Sequence, residues 1–183
     1  MKTLKLTAPQ INPILVKELR VRMRGMRPYL ILTGFLTILI ATGYGIHLLV
    51  MQQTRFGMNI LSYQVGQALF TGLAMCELLL VAFLSPAMTS GTISGEREQL
   101  TYDMLISTPL KPIRLLWGKL IAALSYIFLL IFAAIPIFSV VLIFGGISLT
   151  DIAKVLVLLV MTAIAFGTIG LFLSSLLRRT AQA

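Results

Sequence analysis

The stretch "LIAALSYIFLLIFAAIPIFSVVLIF", residues 120–144, contains no charged side chain. A helix rises about 1.5 Å per residue, so this run is long enough to cross the roughly 30 Å hydrocarbon layer of a bilayer. The strands of a membrane barrel would be shorter and would alternate apolar with polar residues. The stretch therefore predicts a membrane-spanning helix.

The rest of the chain follows the same pattern. Of its 183 residues 58% are hydrophobic and 11% are charged, whereas a soluble domain is usually about 25% charged. Counting residues 120–144, we predict four spans, at about 29–50, 67–88, 120–144 and 155–177. The predicted fold class is an all-α polytopic membrane protein, with residues 1–183 forming a single transmembrane domain. The first run begins too late and is too long for a cleaved signal peptide.

The basic residues predict the orientation of the spans. The chain has 15 Lys and Arg, and all but Arg55 and Lys154 lie before the first span, between the second and third, or after the fourth. Lys and Arg accumulate on the cytoplasmic side of a membrane. Both termini and residues 89–119 are thus expected in the cytoplasm. The net charge of +9 then reflects topology, and we expect no nucleic-acid partner.

The arm before the first span, residues 1–28, contains "NPILVKELRVRMRGMRP". Its apolar residues recur at helical spacing, and its cations lie off that stripe. This predicts an amphipathic helix in the cytoplasmic interface, anchored by cations near anionic lipid head groups. The expected anchors in this arm are Lys17, Arg20, Arg24 and Arg27. The alternative is a positive flank with no function of its own.

The cytoplasmic stretch "SGEREQLTYDMLISTPLKPIRLLWGKL", residues 94–120, keeps acidic and basic residues together. Ser94 is predicted to cap a short amphipathic helix with Glu96 and Glu98 in its first turn. Acids contribute little to orientation, so they suggest a protein partner; the alternative is a solvated loop. Trp117 and Lys119 are expected to anchor the chain where it re-enters the membrane.

These residues resemble the segment between the second and third spans of ABC-2 type transporter permeases. That family has a Gly-Glu-Arg-Glu-x-x-Thr run, a Leu-rich helix, a Thr-Pro turn and a Gly-Lys before the third span. The matching residues here are Gly95, Glu96, Arg97, Glu98, Thr101, Leu105, Thr108, Pro109, Gly118 and Lys119. The arm "NPILVKELR" and the tail "SSLLRRTAQA" are also similar to the corresponding parts of such permeases.

The resemblance implies a membrane-spanning permease of an ATP-driven exporter in the inner or plasma membrane of a prokaryotic cell. Its cytoplasmic segment, residues 89–119, would act as a coupling helix that docks on an ABC ATPase subunit. The expected contact residues are Gly95, Glu96, Arg97, Glu98, Thr101, Leu105, Thr108 and Pro109. A second permease copy or a companion permease would complete the transporter.

The chain itself is not expected to be an enzyme. It lacks the Gly-x-x-x-x-Gly-Lys-Ser/Thr sequence that cradles phosphates. ATP and Mg²⁺ are therefore expected on the partner subunit, with no cofactor or metal in this chain. Permeases of this family usually have six spans, so the resemblance also implies two further spans that this sequence lacks. We expect a fragment, a truncated product or a half that pairs with a companion chain.

Glu77 lies near the middle of the second predicted span. A carboxyl at that depth is costly and is a candidate for the translocation pathway. The alternative is a protonated or hydrogen-bonded carboxyl packed between helices. Two other functions remain open: a transporter or channel that uses Glu77 without an ATPase, and a membrane anchor that recruits a cytoplasmic partner.

Two stripes of small residues have four-residue or near-four-residue spacing. One lies in the first span and comprises Thr33, Thr37, Ala41 and Gly45; the other lies in the fourth and comprises Ala163, Gly167, Gly170 and Ser174. Small residues let membrane helices approach closely. Packing within the chain is the expected use, and a dimer face is the alternative.

Overall fold

The computed structural model describes residues 26–55, 62–98 and 112–176. These residues form four long helices: α1 (Met26–Arg55), α2 (Ser62–Glu98), α3 (Pro112–Val141) and α4 (Leu149–Leu176). A 3₁₀ turn, Leu142–Phe144, follows α3. The described ranges contain no strand, and the prediction of an all-α fold is confirmed.

Each of the four helices contains a stretch long and apolar enough to cross a membrane. The stretches are Pro28–Gln53, Ser62–Ser90, Leu120–Phe144 and Leu149–Ser174. Large apolar side chains point outward from the bundle, for example Phe83, Ile143 and Phe172. Lipid tails contact such an apolar surface without a free-energy cost, whereas its exposure to water is unfavourable. The protein is therefore a multi-pass membrane protein.

The helix α2 is longer than the predicted second span. It continues without a break through residues 91–98 and ends at Glu98. Ser94 thus lies inside a helix, and the prediction that it caps a new one is wrong. Because the backbone N–H groups after Ser94 belong to a continuing helix, they need no cap.

The helix α4 begins at Leu149, six residues before the predicted start of the fourth span. Ser148 and Asp151 form a reciprocal cap. The Asp151 N–H donates to Ser148 Oγ over 3.3 Å, and the Ser148 N–H donates to Asp151 Oδ2 over 3.2 Å. This capping box satisfies two backbone donors and lets the helix start among polar residues. Lys154 then lies within the helix and pairs with Asp151 at 3.0 Å.

The helix α2 lies at the centre of the bundle. It packs against α1, α3 and α4, and its contact with α4 is the most extensive in the protein. Buried side chains form two apolar clusters. The first draws mainly on α1, α2 and α3 and includes Leu39, Leu73 and Leu130; the second draws on α2, α3 and α4 and includes Val81, Ile131 and Leu159.

Two glycines connect α3 to α4. Gly145 and Gly146 both have φ near +79°, in a region that other residues rarely adopt. The turn packs closely on the start of α2, because a Cβ atom on Gly66 would overlap the carbonyl oxygen of Gly145. Gln67 donates from Nε2 to the carbonyl of Gly146 over 3.5 Å. The turn therefore holds the start of α2 against the start of α4.

Candidate functional site

The interface between α2 and α4 is built from small and hydroxyl-bearing side chains. Ser85 donates from Oγ to the carbonyl oxygen of Ala163 over 2.6 Å, and both residues are fully buried. A Cβ atom on Gly167 would lie 2.7 Å from Leu124 Cδ2 and 3.1 Å from Ser85 Oγ. One on Gly170 would overlap Thr89 Oγ1. The small-residue stripe of the fourth span thus packs within the chain, as predicted.

The small-residue stripe of the first span does not pack within the chain. Thr33, Thr37 and Ala41 are exposed on the outside of the bundle, and a Cβ atom on Gly45 would meet nothing within 4 Å. The hydroxyls of Thr33 and Thr37 donate to carbonyls of their own helix. Packing of this stripe within the chain was therefore a wrong prediction for the residues described.

Glu77 is the most unusual residue of the bundle. It is 0% exposed, and neither carboxyl oxygen has a hydrogen-bond partner among the described residues. It lies next to the centre of the membrane stretch Ser62–Ser90. A buried polar group without a partner is costly, and in a membrane it commonly serves a function.

Buried apolar residues flank Glu77 along α2. Leu73, one helical turn before it, belongs to the first cluster, and Val81, one turn after it, belongs to the second. The four membrane stretches contain one Lys or Arg, Lys154, which pairs with Asp151 near the start of α4. The hydroxyl of Ser85, two turns away, is already used by Ala163.

A cavity of about 500 Å³ lies beside the part of α2 that precedes Glu77. It is lined by Leu39, Ile40, Gly43, Tyr44, His47, Leu69, Leu73, Pro136, Ile137, Val140, Val141 and Phe144. Ile40, Tyr44 and Val140 are exposed, so the cavity opens on the lipid-facing side between α1 and α3. The rings of His47 and Phe144 pack 6.0 Å apart at one end of it.

The sequence reasoning missed two parts of this site. It singled out Glu77 but not Ser85 or Thr89, although the three recur on one face of α2 with Val81 between them. That four-residue spacing could have predicted a polar stripe on one face of α2. No sequence pattern could have predicted the cavity, since its lining comes from three helices.

The predicted cytoplasmic contact residues are only partly described. Gly95, Glu96, Arg97 and Glu98 lie on the last turns of α2, and the structure describes their backbone. Thr101, Leu105, Thr108 and Pro109 fall outside the described residues, as do Lys17, Arg20 and Arg24. Arg27 lies near the start of α1, and Trp117 and Lys119 lie in the first turns of α3.

A model of the family described as "ABC-2 family transporter protein" matches residues 12–183. The chain belongs to the ABC-2 transporter family. As an ABC-2 family protein, it is a permease of an ABC-type transporter, and four membrane-crossing helices agree with that assignment. No curated protein and no solved structure matched the chain significantly.

Proposed function

We propose that this chain is the membrane-spanning permease subunit of an ATP-driven exporter, coupled to a separate ABC ATPase through the end of α2. One observation carries the proposal: α2 is continuous from Ser62 to Glu98. Its membrane stretch ends at Ser90, so eight further residues extend about 12 Å toward the ATPase. These residues include the Gly-Glu-Arg-Glu run.

The placement of the acids supports docking. Glu96 and Glu98 lie in the last turn of α2, where the helix dipole disfavours negative charge. Their presence is therefore not explained by helix stability. A cationic surface on the ATPase would make these charges favourable.

A helix that spans the bundle can carry motion across it. The cytoplasmic end of α2 is the proposed contact, and its membrane part packs against the other three helices. A displacement at residues 95–98 would thus reach α1, α3 and α4 at once. ATP binds the closed ATPase dimer preferentially, and this differential affinity biases the permease between its two states. A second permease copy or companion chain would form the other half of the pathway.

The same proposal covers location and cofactors. Both termini lie in the cytoplasm of a prokaryotic cell, and the spans lie in its inner or plasma membrane. ATP and Mg²⁺ bind the partner subunit, and this chain does no chemistry on them. Residues 1–28 form the interfacial arm, anchored by Lys17, Arg20, Arg24 and Arg27, with Trp117 and Lys119 at the entry to α3.

The test is co-purification with an ABC ATPase from the same genome, beginning with any that is encoded next to this chain. We expect the two proteins to elute together, and the double variant Glu96→Lys, Glu98→Lys to reduce the bound ATPase at least tenfold because it reverses the docking charges. A matched control is Ala181→Lys with Ala183→Lys, which adds positive charge at the same spacing to the cytoplasmic tail and should leave co-elution unchanged. Normal ATPase binding by the Glu96, Glu98 variant would contradict the coupling assignment.

A second candidate function is an ATPase-independent transporter or channel, and the buried, unpartnered carboxyl of Glu77 favours it. Flux into vesicles separates the two. The permease hypothesis expects flux that depends on ATP and on the partner subunit. The alternative expects flux without ATP that Glu77→Gln abolishes, and a membrane anchor would bind its partner without any flux.

A further inference from the structure

We propose that Glu77 and the cavity beside it form a binding site for an amphiphilic organic cation, with the carboxylate as the counter-charge. The substrate class rests on the permease function proposed above, whereas the binding itself does not. Two independent observations lie within one helical turn of each other: an unpartnered carboxyl and an apolar cavity.

The first observation is the carboxyl. Glu77 is 0% exposed, and both its oxygens lack a partner among the described residues. No Lys or Arg in the described membrane stretches is available to it, since Lys154 lies near the start of α4 and pairs with Asp151. An isolated carboxylate in an apolar interior is strongly unfavourable, and a bound cation would remove that cost.

The second observation is the cavity. Its volume of about 500 Å³ falls in the range of small-molecule sites, about 300–1,000 Å³. Leu69 and Leu73 contribute to its wall, and Glu77 follows Leu73 by one turn on the same buried face of α2, about 6 Å along the axis. A shift of the Leu73 side chain would connect the carboxyl to the cavity.

The lining fits the apolar body of such a ligand. Most of the residues are aliphatic, and Tyr44 and Phe144 add aromatic rings, whose faces attract cations. His47 packs beside Phe144. Leu39 and His47, which both line the cavity, are eight residues apart on α1, about 12 Å along the helix axis. The opening between Ile40, Tyr44 and Val140 would admit the ligand from the bilayer, where an amphiphile concentrates.

The test uses two probes of the same shape and opposite charge. Tetraphenylphosphonium and tetraphenylborate are titrated into the purified full chain in lipid nanodiscs, and binding is measured by equilibrium dialysis. We expect saturable binding of the phosphonium to the wild-type chain. Glu77→Gln keeps the shape of the side chain and should weaken that binding at least tenfold, while leaving any borate binding unchanged.

A second pair of variants tests the cavity without altering the core. Val140→Trp should fill the cavity from its lipid side and weaken phosphonium binding at least tenfold. Val157→Trp is its control, because Val157 is similarly exposed, on α4, and does not line the cavity. Absent phosphonium binding, or binding that neither Glu77→Gln nor Val140→Trp weakens, would overturn the proposal. The assay contains no ATPase, so failure of the coupling assignment would leave its result standing.

Discussion

The polar residues on the buried face of α2 differ in their hydrogen bonding. Ser85 reaches across to the carbonyl of Ala163 on α4, and Thr89 donates to the carbonyl of Ser85 in its own helix. Glu77, two turns from Ser85, has no partner among the described residues. Hydrogen bonds between membrane helices contribute about 0.6 kcal/mol on average. Both hydroxyls have hydrogen-bond partners within the bundle, which suits a structural role, whereas the carboxyl has none among the described residues.

Substitution of Gly170 should disrupt the interface between α2 and α4 most directly. A Cβ atom there would overlap Thr89 Oγ1 and lie 2.7 Å from Pro86 Cα. Because backbone atoms cannot give way easily, we expect Gly170→Ala to lower the free energy of unfolding by about 1–3 kcal/mol. The measurement is denaturation by sodium dodecyl sulfate in mixed micelles, followed by circular dichroism.

Gly45→Ala provides the matched control for that experiment. Both glycines lie within helices, but a Cβ atom at Gly45 would meet nothing within 4 Å. Alanine should be neutral there or stabilising by up to about 1 kcal/mol, since it favours helix over glycine. Equal losses at the two positions would show that close packing of α2 on α4 is not what Gly170 provides.

At the scale of elements, the turn between α3 and α4 decides how one end of the bundle is held. Gly145 and Gly146 turn the chain, and Ser148 with Asp151 starts α4. The same turn packs on the start of α2, where Gly66 leaves room for the Gly145 carbonyl. The end of α3, the start of α4 and the start of α2 are thereby held together by a few neighbouring residues.

Gly145 and Gly146 allow backbone strain to be separated from close packing. Both have φ near +79°, so alanine at either position should cost about 1–3 kcal/mol of strain. A Cβ atom at Gly146 would also lie 2.5 Å from the Tyr63 carbonyl oxygen, whereas one at Gly145 meets nothing within 4 Å. Gly146→Ala should thus lower the free energy of unfolding by more than Gly145→Ala in the same denaturation assay. The reverse order would contradict the packing of this turn on α2.

At the scale of the whole molecule, the placement of the basic residues around the four helices predicts an orientation. Thirteen of the 15 Lys and Arg lie on the side that the positive-inside rule assigns to the cytoplasm. With the predicted orientation, the cavity would lie in the outer half of the membrane, and the end of α2 would project into the cytoplasm. This orientation is what makes the proposed ATPase contact possible.

Cysteine labelling in intact cells can test that orientation. The only cysteine is Cys76, so Cys76→Ser provides a background without thiols. In that background we expect Gln53→Cys and Ser148→Cys to react with a membrane-impermeant maleimide from outside, and Ala183→Cys to react only after permeabilisation. If only Ala183→Cys were labelled in intact cells, the topology would be the reverse of the predicted one. Glu98 would then lie outside the cytoplasm and could not contact the ATPase.

Much of the fold could be predicted because crossing a membrane depends on local composition. The four spans were visible as apolar runs, and all four predicted runs fall on helices, apart from Leu177, which lies outside the described residues. Helix ends were harder. The sequence predicted that a new helix would start at Ser94, yet α2 continues through residues 91–98. The capping box at Ser148 likewise extends α4 into a segment predicted to be a connection.

The candidate site shows the same division. The position of Glu77 within a span follows from the sequence, but its lack of a partner depends on which faces of α2, α3 and α4 meet. The two small-residue stripes make the point most clearly. They look alike in the sequence, yet Gly167 and Gly170 pack against α2 while Thr33 and Thr37 face outward.

The sequence by itself determined that this chain has four membrane-crossing segments, because the transfer of a segment into lipid depends on the side chains of that segment alone. Its basic residues also predict the orientation. Only the tertiary structure decided that Glu77 is enclosed without a partner among the described residues beside a cavity, and that α2 touches every other described helix. Those features arise from contacts between residues distant in the chain, and no local property of the sequence encodes which faces of the helices will pack together.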